Sequence, residues 1–328
     1  MEQLSILSME HSVTDSKEQV IEKRNTAWRS NRMIPSWVDL DSVDLDQFYT
    51  KNTVAENLFN ELKEYIESDG TEIDDCVFIE PSAGDGAFFR LLPIHSRIGF
   101  DIYPMCEGIE RKDFLSWFLP DEYKNKKIVF VGNPPFGYRA WLALTFMNHA
   151  SRYADYIGFI LPMAFQSEGK GSPKHRVRGM RLEAAKKLDY DSFYMPDNKI
   201  CKINALWQIW KKGENEIAQQ IDCGEYVDLF TVDERKERLC GQEKKKNADF
   251  FLQRTYYNEK PTLVKDFSEV KYVCGYGIII KKEKEKVVNA LQSVDWDNYS
   301  NLATHNCRHI SMYHIKMALM DKAVVNCG

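Results

Sequence analysis

The sequence predicts an α/β protein with an open, mostly parallel β-sheet and crossover helices, followed by a smaller α+β unit. Between residues 76 and 212, short apolar runs alternate with helical segments, which is typical of βαβ units. The 328 residues suffice for one large domain and one smaller unit. Charge runs interrupt the alternation after Gly213. We therefore divide the chain into an N-terminal extension (1–45) laid over a main domain (46–213), and a C-terminal domain (214–328).

The main domain contains six short apolar runs that we predict as strands: residues 76–80, 97–101, 127–131, 156–161, 192–195 and 205–210. Helices are predicted from Asn52 or Thr53, as the N-cap, to about Gly70, and at residues 140–153 and 178–188. Only a short polar stretch separates the last two strands. They are therefore predicted to pair as a hairpin that closes one edge of the sheet.

Composition excludes several classes of protein. Hydrophobic residues make up 44% and charged residues 28%, the balance of a soluble protein with a buried core. The longest apolar stretches, such as residues 157–165, are shorter than the roughly 20 residues that cross a bilayer, and the N-terminus lacks a signal core. We expect no membrane partner and a cytoplasmic location in a bacterium or phage-infected cell, or the host nucleus for a virus of eukaryotes.

The eight cysteines are scattered without a Cys-x-x-Cys pair, which predicts reduced thiols. One local cluster combines histidine and cysteine, and its members are His305, Cys307, His309 and His314. Their spacing matches none of the usual zinc-ligand patterns. We therefore expect no metal.

Charge is distributed unevenly. The net charge is -5, yet residues 168–212 contain eleven Lys/Arg against five Asp/Glu, a balance of +6 that leaves -11 for the rest. A local positive field attracts phosphates. The candidate phosphate contacts in this segment are Lys170, Lys174, Arg176 and Arg178. A solvated surface of mixed charge is the alternative interpretation.

A glycine-rich run, Glu-Pro-Ser-Ala-Gly-Asp-Gly-Ala-Phe-Phe at residues 80–89, follows the first strand and leads into a predicted helical segment. Glycines at the carboxyl end of a parallel strand let the backbone approach a ligand and adopt positive φ. The run lacks the third glycine of a dinucleotide fingerprint and the lysine of a phosphate loop. A tight structural turn is therefore the alternative to a ligand loop.

Acidic residues follow where the next loops of such a sheet would lie. Asp101 ends the second strand, at a position where a carboxylate can bind ribose hydroxyls. Asp113 and Phe114 fall in a third loop, where a carboxylate can accept a hydrogen bond from an adenine amine and a ring can cover the base. Taken singly, each of these is also compatible with an ordinary surface position.

The most specific signal is Asn133-Pro134-Pro135-Phe136, directly after the strand at 127–131. Two prolines fix φ and remove two amide donors, so the turn is stiff. An aromatic amine is a poor nucleophile because its lone pair is delocalised into the ring. Hydrogen bonds from that amine to the Asn133 side-chain oxygen and the Pro134 carbonyl favour a tetrahedral, nucleophilic nitrogen, and Phe136 can stack on the base. A merely rigid turn is the alternative.

In order and content these segments resemble the motifs of the amino-group DNA methyltransferases, over about residues 47–212. Phe48-Tyr49-Thr50-Lys51 is similar to motif X, the run at 80–89 to motif I, Asp101 to motif II, Asp113-Phe114 to motif III, and Asn133 to Phe136 to motif IV. The segment Asn204-Ala205-Leu206-Trp207-Gln208-Ile209-Trp210 is similar to motif VIII, with Trp207 at the aromatic position. Motif X before motif I resembles the gamma arrangement.

The resemblance implies a Rossmann-like sheet that binds S-adenosylmethionine and methylates N6 of an adenine flipped out of double-stranded DNA, at a specific site. Asn133, Pro134, Pro135 and Phe136 would form the catalytic turn, and Phe136 and Trp207 would stack on the target base. The cofactor-binding residues implied in this way are Phe48, Tyr49, Thr50, Glu80, Pro81, Ala83, Gly84, Gly86, Asp101, Ile102, Asp113, Phe114 and Asn133.

The C-terminal domain is predicted to recognise the DNA sequence. It contains a strand-like run at residues 271–282 and two helix-like stretches, with Arg308, His309 and Tyr313 as candidates for contacts with base edges. We expect a monomer or weak dimer, and whether a cognate restriction endonuclease accompanies it stays open.

Other substrates also fit a motif that binds planar amines. An RNA methyltransferase acting on adenine N6 or guanine N2 is the main alternative. Methylation of a protein glutamine, methylation of the cytosine amine, and a catalytically silent DNA-binding module are further ones.

Overall fold

In a computed structural model, residues 15–44, 48–169, 171–217 and 220–324 are described. Within these ranges no helix is both long and apolar enough to cross a bilayer. The α-helices are α1 (Lys17–Arg29), α2 (Asn52–Ser68), α3 (Trp141–Ala150), α4 (Gln242–Lys245), α5 (Lys284–Gln292) and α6 (Met312–Asp321).

The strands form four sheets. They are β1 (Tyr49–Thr50), β2 (Cys76–Glu80), β3 (Arg97–Asp101), β4 (Glu110–Arg111), β5 (Lys127–Gly132), β6 (Tyr156–Pro162), β7 (Met180–Lys187), β8 (Phe193–Tyr194), β9 (Ile200–Cys201), β10 (Ala205–Lys212), β11 (Val227–Arg235), β12 (Arg238–Cys240), β13 (Phe250–Gln253), β14 (Thr255–Tyr256), β15 (Cys274–Ile280), β16 (Asn301–Leu302) and β17 (Arg308–His309).

The largest sheet has seven strands in the order β4-β3-β2-β5-β6-β10-β7. All run parallel except β10, which is antiparallel to both of its neighbours. If the six parallel strands are numbered 1 to 6 along the chain, their order across the sheet is 3-2-1-4-5-6. This is the strand order of the doubly wound dinucleotide-binding fold. The predicted α/β class with a Rossmann-like sheet is thereby confirmed. The antiparallel strand β10 is inserted between β6 and the last parallel strand, β7.

Two apolar layers cover the faces of this sheet. One layer contains α3, whose Phe146 and Met147 pack in the same layer as Phe130. The other contains α2, whose Leu58 and Leu62 pack in the same layer as Phe78. The central strands β2, β5 and β6 are buried almost throughout because both of their faces are covered. This is why continuous apolar runs predicted four of the strands, at 76–80, 97–101, 127–131 and 156–161, to within one residue of their observed bounds.

The helix predicted at residues 178–188 is wrong, because this segment is the strand β7. Its composition, Met-Arg-Leu-Glu-Ala-Ala-Lys-Lys, favours helix locally. In the fold, β7 pairs with β10 along its whole length, from Met180 opposite Lys212 to Lys187 opposite Leu206. Pairing with a partner strand satisfies the backbone and overrides the weak local preference.

The predicted hairpin between residues 192–195 and 205–210 is also wrong. The first of these segments contains β8, which pairs with β1 and β9 in a separate three-stranded sheet. The backbone amide of Lys51 donates to the Ser192 carbonyl, which joins β8 to the segment before α2. The hairpin at this edge of the large sheet is instead β7 with β10.

Two smaller expectations also differ from the structure. The run at residues 80–89 leads into a single 3₁₀ turn, Phe89–Leu91, and the described residues 81–96 contain no α-helix. α2 begins at Asn52 itself, with Lys51 as the N-cap residue and without a side-chain cap. Short 3₁₀ connections therefore replace the expected first crossover helix, while α2 covers that face of the sheet.

The C-terminal residues form a four-stranded sheet, β12-β11-β15-β13, and a small sheet, β14-β17-β16. β15 lies inside the strand-like run predicted at 271–282, and α5 and α6 are the two predicted helices. The loop between β16 and β17 contacts the main domain, because Asn204 donates from its backbone to the Thr304 carbonyl and from Nδ2 to the Ala303 carbonyl.

Candidate active site

A pocket opens at the carboxyl edge of the large sheet, where the loops after β2 and β5 meet. This is the point at which the strand order reverses, and ligands of open α/β sheets bind in the crevice at such a point. The pocket is lined by Arg24, Trp28, Asp44, Phe48, Tyr49, Pro81, Ser82, Gly84, Asp101, Ile102, Tyr103, Lys112, Asp113, Phe114, Asn133, Pro135, Leu142 and Phe146. The structure thus brings together residues from all five segments that resemble methyltransferase motifs X, I, II, III and IV.

The glycine-rich loop is held open by its backbone conformation. Gly84 has φ +49°, and a Cβ added there would lie 3.0 Å from Cε1 of Tyr49. The Gly84 amide donates to Asp101 Oδ2 at 2.7 Å, and the Tyr103 amide donates to Asp101 Oδ1 at 2.7 Å. Asp101 therefore ties the first loop to the second, and the absence of a side chain at Gly84 leaves room for the Tyr49 ring.

Two acidic residues, Glu80 and Asp101, flank this loop and differ in their access to the pocket. Glu80 is fully buried, burial raises its pKa well above the usual range, and its Oε2 has no hydrogen-bond partner. Burial also raises the pKa of Asp101, and two backbone amides partly offset this effect. Asp101 lines the pocket, whereas Glu80 lies behind it against Gly132. Of the two, Asp101 is the carboxylate that can meet a ligand.

Asp113 closes the opposite wall of the pocket. Its Oδ1 accepts from the Leu115 amide at 3.0 Å, and its Oδ2 accepts from the indole Nε1 of Trp28 at 2.8 Å. Burial raises the pKa of Asp113, and the Trp28 and Leu115 donors oppose that shift. Phe114 lines the pocket but is 1% exposed, because its ring packs edge-on to His149.

Asn133 has its amide nitrogen committed and its amide oxygen available. Nδ2 donates to the Phe48 carbonyl at 2.9 Å and to Thr50 Oγ1 at 3.3 Å. No donor among the described residues reaches Oδ1, and Asn133 lines the pocket. Thr50 does not line the pocket and instead contacts Asn133 from behind. The segment before α2 therefore orients the amide so that an acceptor is left for a ligand.

The rest of the turn at residues 133–136 is divided between pocket and core. Pro135 lines the pocket, while Pro134 is buried. Ser82 Oγ donates to the Asn133 carbonyl at 3.1 Å, which joins the turn to the glycine-rich loop. Phe136 is only 8% exposed and packs in the layer beside α2. In this conformation its ring offers little surface to a base.

The assignment of Trp207 to base stacking is contradicted. Trp207 is 0% exposed, its ring stacks on Phe88 at 6.2 Å between centroids, and its Cη2 would lie 2.7 Å from a Cβ on Gly158. It pairs with Ile160, two residues in from Pro162 at the carboxyl end of β6. Trp207 is therefore a core residue inside the sheet, and a flipped base cannot reach it.

The cofactor residues predicted from the sequence fall into two groups. Phe48, Tyr49, Pro81, Gly84, Asp101, Ile102, Asp113, Phe114 and Asn133 line the pocket. Thr50, Glu80, Ala83 and Gly86 lie outside its lining and support it. Gly86 has φ +83°, and a Cβ there would lie 2.8 Å from Cys106 Sγ.

The predicted phosphate contacts also divide. Lys170 lies outside the described residues. Lys174 is buried, and its Nζ pairs with Glu168, so its assignment to DNA is contradicted. Arg176 and Arg178 are exposed, and neither makes an ion pair within the described part of the chain. Of the three candidates that the structure describes, these two retain the exposure that a phosphate contact needs.

The candidates in the C-terminal region make contacts within that region. Arg308 donates to the Asp297 carbonyl at 3.0 Å and to Ser300 Oγ at 3.2 Å. His309 is hydrogen-bonded through Nδ1 to Thr255 Oγ1 at 2.9 Å. In this conformation both make hydrogen bonds within this region and are half-buried, and their assignment to base contacts stays a prediction. Tyr313 lies beside Gly169.

Several pocket residues escaped the sequence analysis: Arg24, Trp28, Asp44, Ser82, Tyr103, Lys112, Leu142 and Phe146. Three of these, Arg24, Trp28 and Asp44, belong to the N-terminal extension, whose role had no interpretation. α1 has a capping box at Ser16 and buries Val20 and Trp28 on one side. The pair Ser16 and Gln19 was the one available signal for a helix here.

No protein-family model matches the chain, and no curated protein matches it in sequence. Among solved structures, a Pyrococcus horikoshii protein provisionally assigned as an RNA methyltransferase aligns with 59% of this chain and 99% of its own, at 15% identity and a TM-score of 0.36. Magnesium protoporphyrin IX methyltransferase from Synechocystis PCC 6803, with bound SAM, aligns with 62% of this chain and 100% of its own, at 12% identity and a TM-score of 0.34.

The type IIL restriction-modification enzyme MmeI, solved in complex with DNA, aligns with 50% of this chain and 35% of its own, at 12% identity and a TM-score of 0.33. At such identities and TM-scores, these similarities carry no argument about the cofactor or substrate of this chain. The fold assignment rests on its own strand order.

Proposed function

We propose that this chain is an S-adenosylmethionine-dependent methyltransferase that modifies N6 of adenine in double-stranded DNA. The observation that carries the proposal is the Asn133 amide, whose nitrogen is held by Phe48 and Thr50 while its oxygen is left as an acceptor in the pocket. A planar amine that donates to this oxygen loses conjugation with its ring, and its nitrogen becomes more nucleophilic.

The pocket fits the cofactor by the chemistry of its acceptors. Asp101 can accept from ribose hydroxyls, because each of its oxygens uses one lone pair on a backbone amide and keeps another. Asp113 can accept from the adenine amine in the same way. Ile102, Leu142 and Phe146 provide apolar walls. When bound, S-adenosylmethionine supplies a methyl group on a positively charged sulfur.

The residues of the chain would act by binding, orientation and exclusion of water. Asn133 would hold the target amine next to the cofactor, and the stiff prolines would limit movement of the turn. Removing an adenine from a duplex costs a few kcal/mol. Contacts of Arg176 and Arg178 with phosphates would help to hold the distorted duplex.

The proposal is tested by product identification. The full chain is incubated with methyl-labelled S-adenosylmethionine and with duplex DNA free of methylated adenine, single-stranded DNA or RNA, and the nucleosides of the digest are separated. Labelled N6-methyldeoxyadenosine from duplex DNA alone is the expected result, and mapping the modified positions would identify the recognition site. The Asn133→Ala variant serves as the blank.

Other labelled products would contradict this proposal and indicate a different substrate. Label in N6-methyladenosine or N2-methylguanosine from RNA would make the chain an RNA methyltransferase. Label in N4-methyldeoxycytidine would change the target base. Cofactor binding without transfer to any nucleic acid would indicate a silent binding module or a protein substrate. A cognate restriction endonuclease stays a prediction, which copurification from the native source would test.

A further inference from the structure

The N-terminal segment forms one wall of the pocket and is firmly attached to it. The guanidinium of Arg24, which is 5% exposed, donates to the Val43 and Asp44 carbonyls. Asn25 Nδ2 donates to the Leu40 carbonyl at 2.9 Å. These bonds join α1 to residues 40–44, which lead to the segment that holds Asn133. α1 is thus fixed in place by contacts that do not involve Trp28.

Trp28 projects from this fixed helix into the pocket wall. Its side chain is 3% exposed, its ring meets Trp141 edge-on at 5.9 Å, and the Arg24 guanidinium lies 4.8 Å from its ring centroid. Packing on two sides leaves the indole one orientation, in which Nε1 donates to Asp113 Oδ2 at 2.8 Å. The bond links two residues that are 85 positions apart in the chain.

A carboxylate has about four acceptor positions on its two oxygens. Trp28 uses one on Oδ2 and the Leu115 amide uses one on Oδ1, so one position on each oxygen remains. Two donors at fixed positions also prevent rotation of the carboxylate about its bond to Cβ. Since Asp113 and Trp28 both line the pocket, the remaining acceptor positions are presented in a defined direction.

We propose that Trp28 is a positioning residue that orients the Asp113 carboxylate to accept a hydrogen bond from the exocyclic amine of a bound adenosyl group. This inference rests on the proposed function, because it takes S-adenosylmethionine as the cofactor. It gives the N-terminal helix a role in recognising the base of the cofactor. The pocket should therefore distinguish adenine, which has an amine donor at this position, from hypoxanthine, which has an oxygen acceptor there.

The test compares two ligands and two substitutions by calorimetry. S-adenosylhomocysteine carries the amine, and S-inosylhomocysteine carries oxygen in its place. Trp28→Phe keeps a ring but removes the N–H donor. We expect Trp28→Phe to weaken binding of S-adenosylhomocysteine about fivefold to tenfold and binding of S-inosylhomocysteine less than about twofold. The matched control is Trp37→Phe, because Trp37 is 57% exposed and does not line the pocket.

If Trp28 serves packing alone, Trp28→Phe should weaken binding of both ligands equally, and that result would overturn the proposal. Unchanged affinity for both ligands would also overturn it. If Trp28→Phe does not fold, a benzothienyl residue at position 28 keeps the bicyclic shape with sulfur in place of N–H, and the same comparison applies. Failure of the proposed function looks different: if S-adenosylmethionine is not the cofactor, the unmodified chain binds neither ligand, and if only the DNA substrate is wrong, the ligand comparison is unaffected and the labelled products show the failure. Equal binding of both ligands by the unmodified chain would overturn the role of Asp113 instead.

Discussion

The turn after β5 and the strand β10 both carry residues that the motif resemblance assigns to the target base, and their surroundings differ. Asn133 lies at the carboxyl end of a parallel strand and presents an oxygen to the pocket. Trp207 lies inside a strand that runs the other way, with no exposed surface. A polar residue at a strand end is placed by topology alone, whereas an aromatic ring within a strand can serve equally well as core.

The largest expected effect is that of Trp207→Ala on the free energy of unfolding. If Trp207 is core, its removal should lower the free energy of unfolding by about 3–5 kcal/mol, the usual cost of truncating a buried tryptophan. Urea denaturation measures this change. The control is Trp37→Ala, since Trp37 is exposed and should change stability little. A stable Trp207→Ala variant that loses only nucleic-acid binding would restore the stacking role.

Next in size is the effect of Asn133→Ala on catalysis. Removing one pre-organised hydrogen-bonding group from an active site costs about 100- to 1,000-fold in kcat. We expect a loss of that order with S-adenosylhomocysteine affinity nearly unchanged, measured by single-turnover transfer and by calorimetry.

Asn215→Ala is the matched control, because Nδ2 of Asn215 also donates two hydrogen bonds, to the carbonyls of Lys174 and Val177, and lies outside the pocket. Comparable turnover in the Asn133 and Asn215 variants would remove Asn133 from the mechanism.

A smaller effect is expected at Tyr138, two residues after Phe136. Its ring is 69% exposed, and the Arg139 guanidinium lies 4.9 Å from its centroid. Arg139 and Ala140 both have positive φ, which costs free energy and is common at functional sites. Stacking of a base on an aromatic ring contributes about 1–3 kcal/mol. Tyr138→Ala should therefore raise KM for DNA about tenfold without lowering stability.

The control for this prediction is Tyr138→Phe, which keeps the ring and should restore KM. If the alanine variant has the KM of the unmodified chain, Tyr138 does not stack on the base, and the stacking partner lies elsewhere.

The smallest effects concern the exposed cations. Each phosphate contact contributes about 0.9 to the slope of log affinity against log salt. Arg176→Ala should reduce that slope by about one unit for duplex DNA, in fluorescence anisotropy across a salt series. Lys174→Ala should lower stability instead, because it removes a buried side chain that pairs with Glu168 and leaves that carboxylate with His175 alone. If Lys174→Ala reduced the salt slope and Arg176→Ala lowered stability, the roles assigned to these two residues from their burial would be wrong.

The sequence by itself determined the parallel strands and the segments at their carboxyl ends. Apolar runs bounded by Gly84, Asp101 and Asn133 specify strands buried on both faces, and parallel strands necessarily bring such residues to one edge. Motif order then predicted which loops share a pocket. The local sequence was sufficient to predict these positions, because each residue follows a strand whose direction fixes the edge of the sheet at which the residue lies.

Only the tertiary structure decided which neighbours each side chain meets. β7 has a helical composition but pairs with β10 along its length. Trp28 reaches Asp113 across 85 residues of chain. Lys174 and Trp207 are buried by partners from elsewhere in the sequence. Burial, pairing and carboxylate orientation depend on contacts between distant segments, and a pattern within one segment carries no information about them.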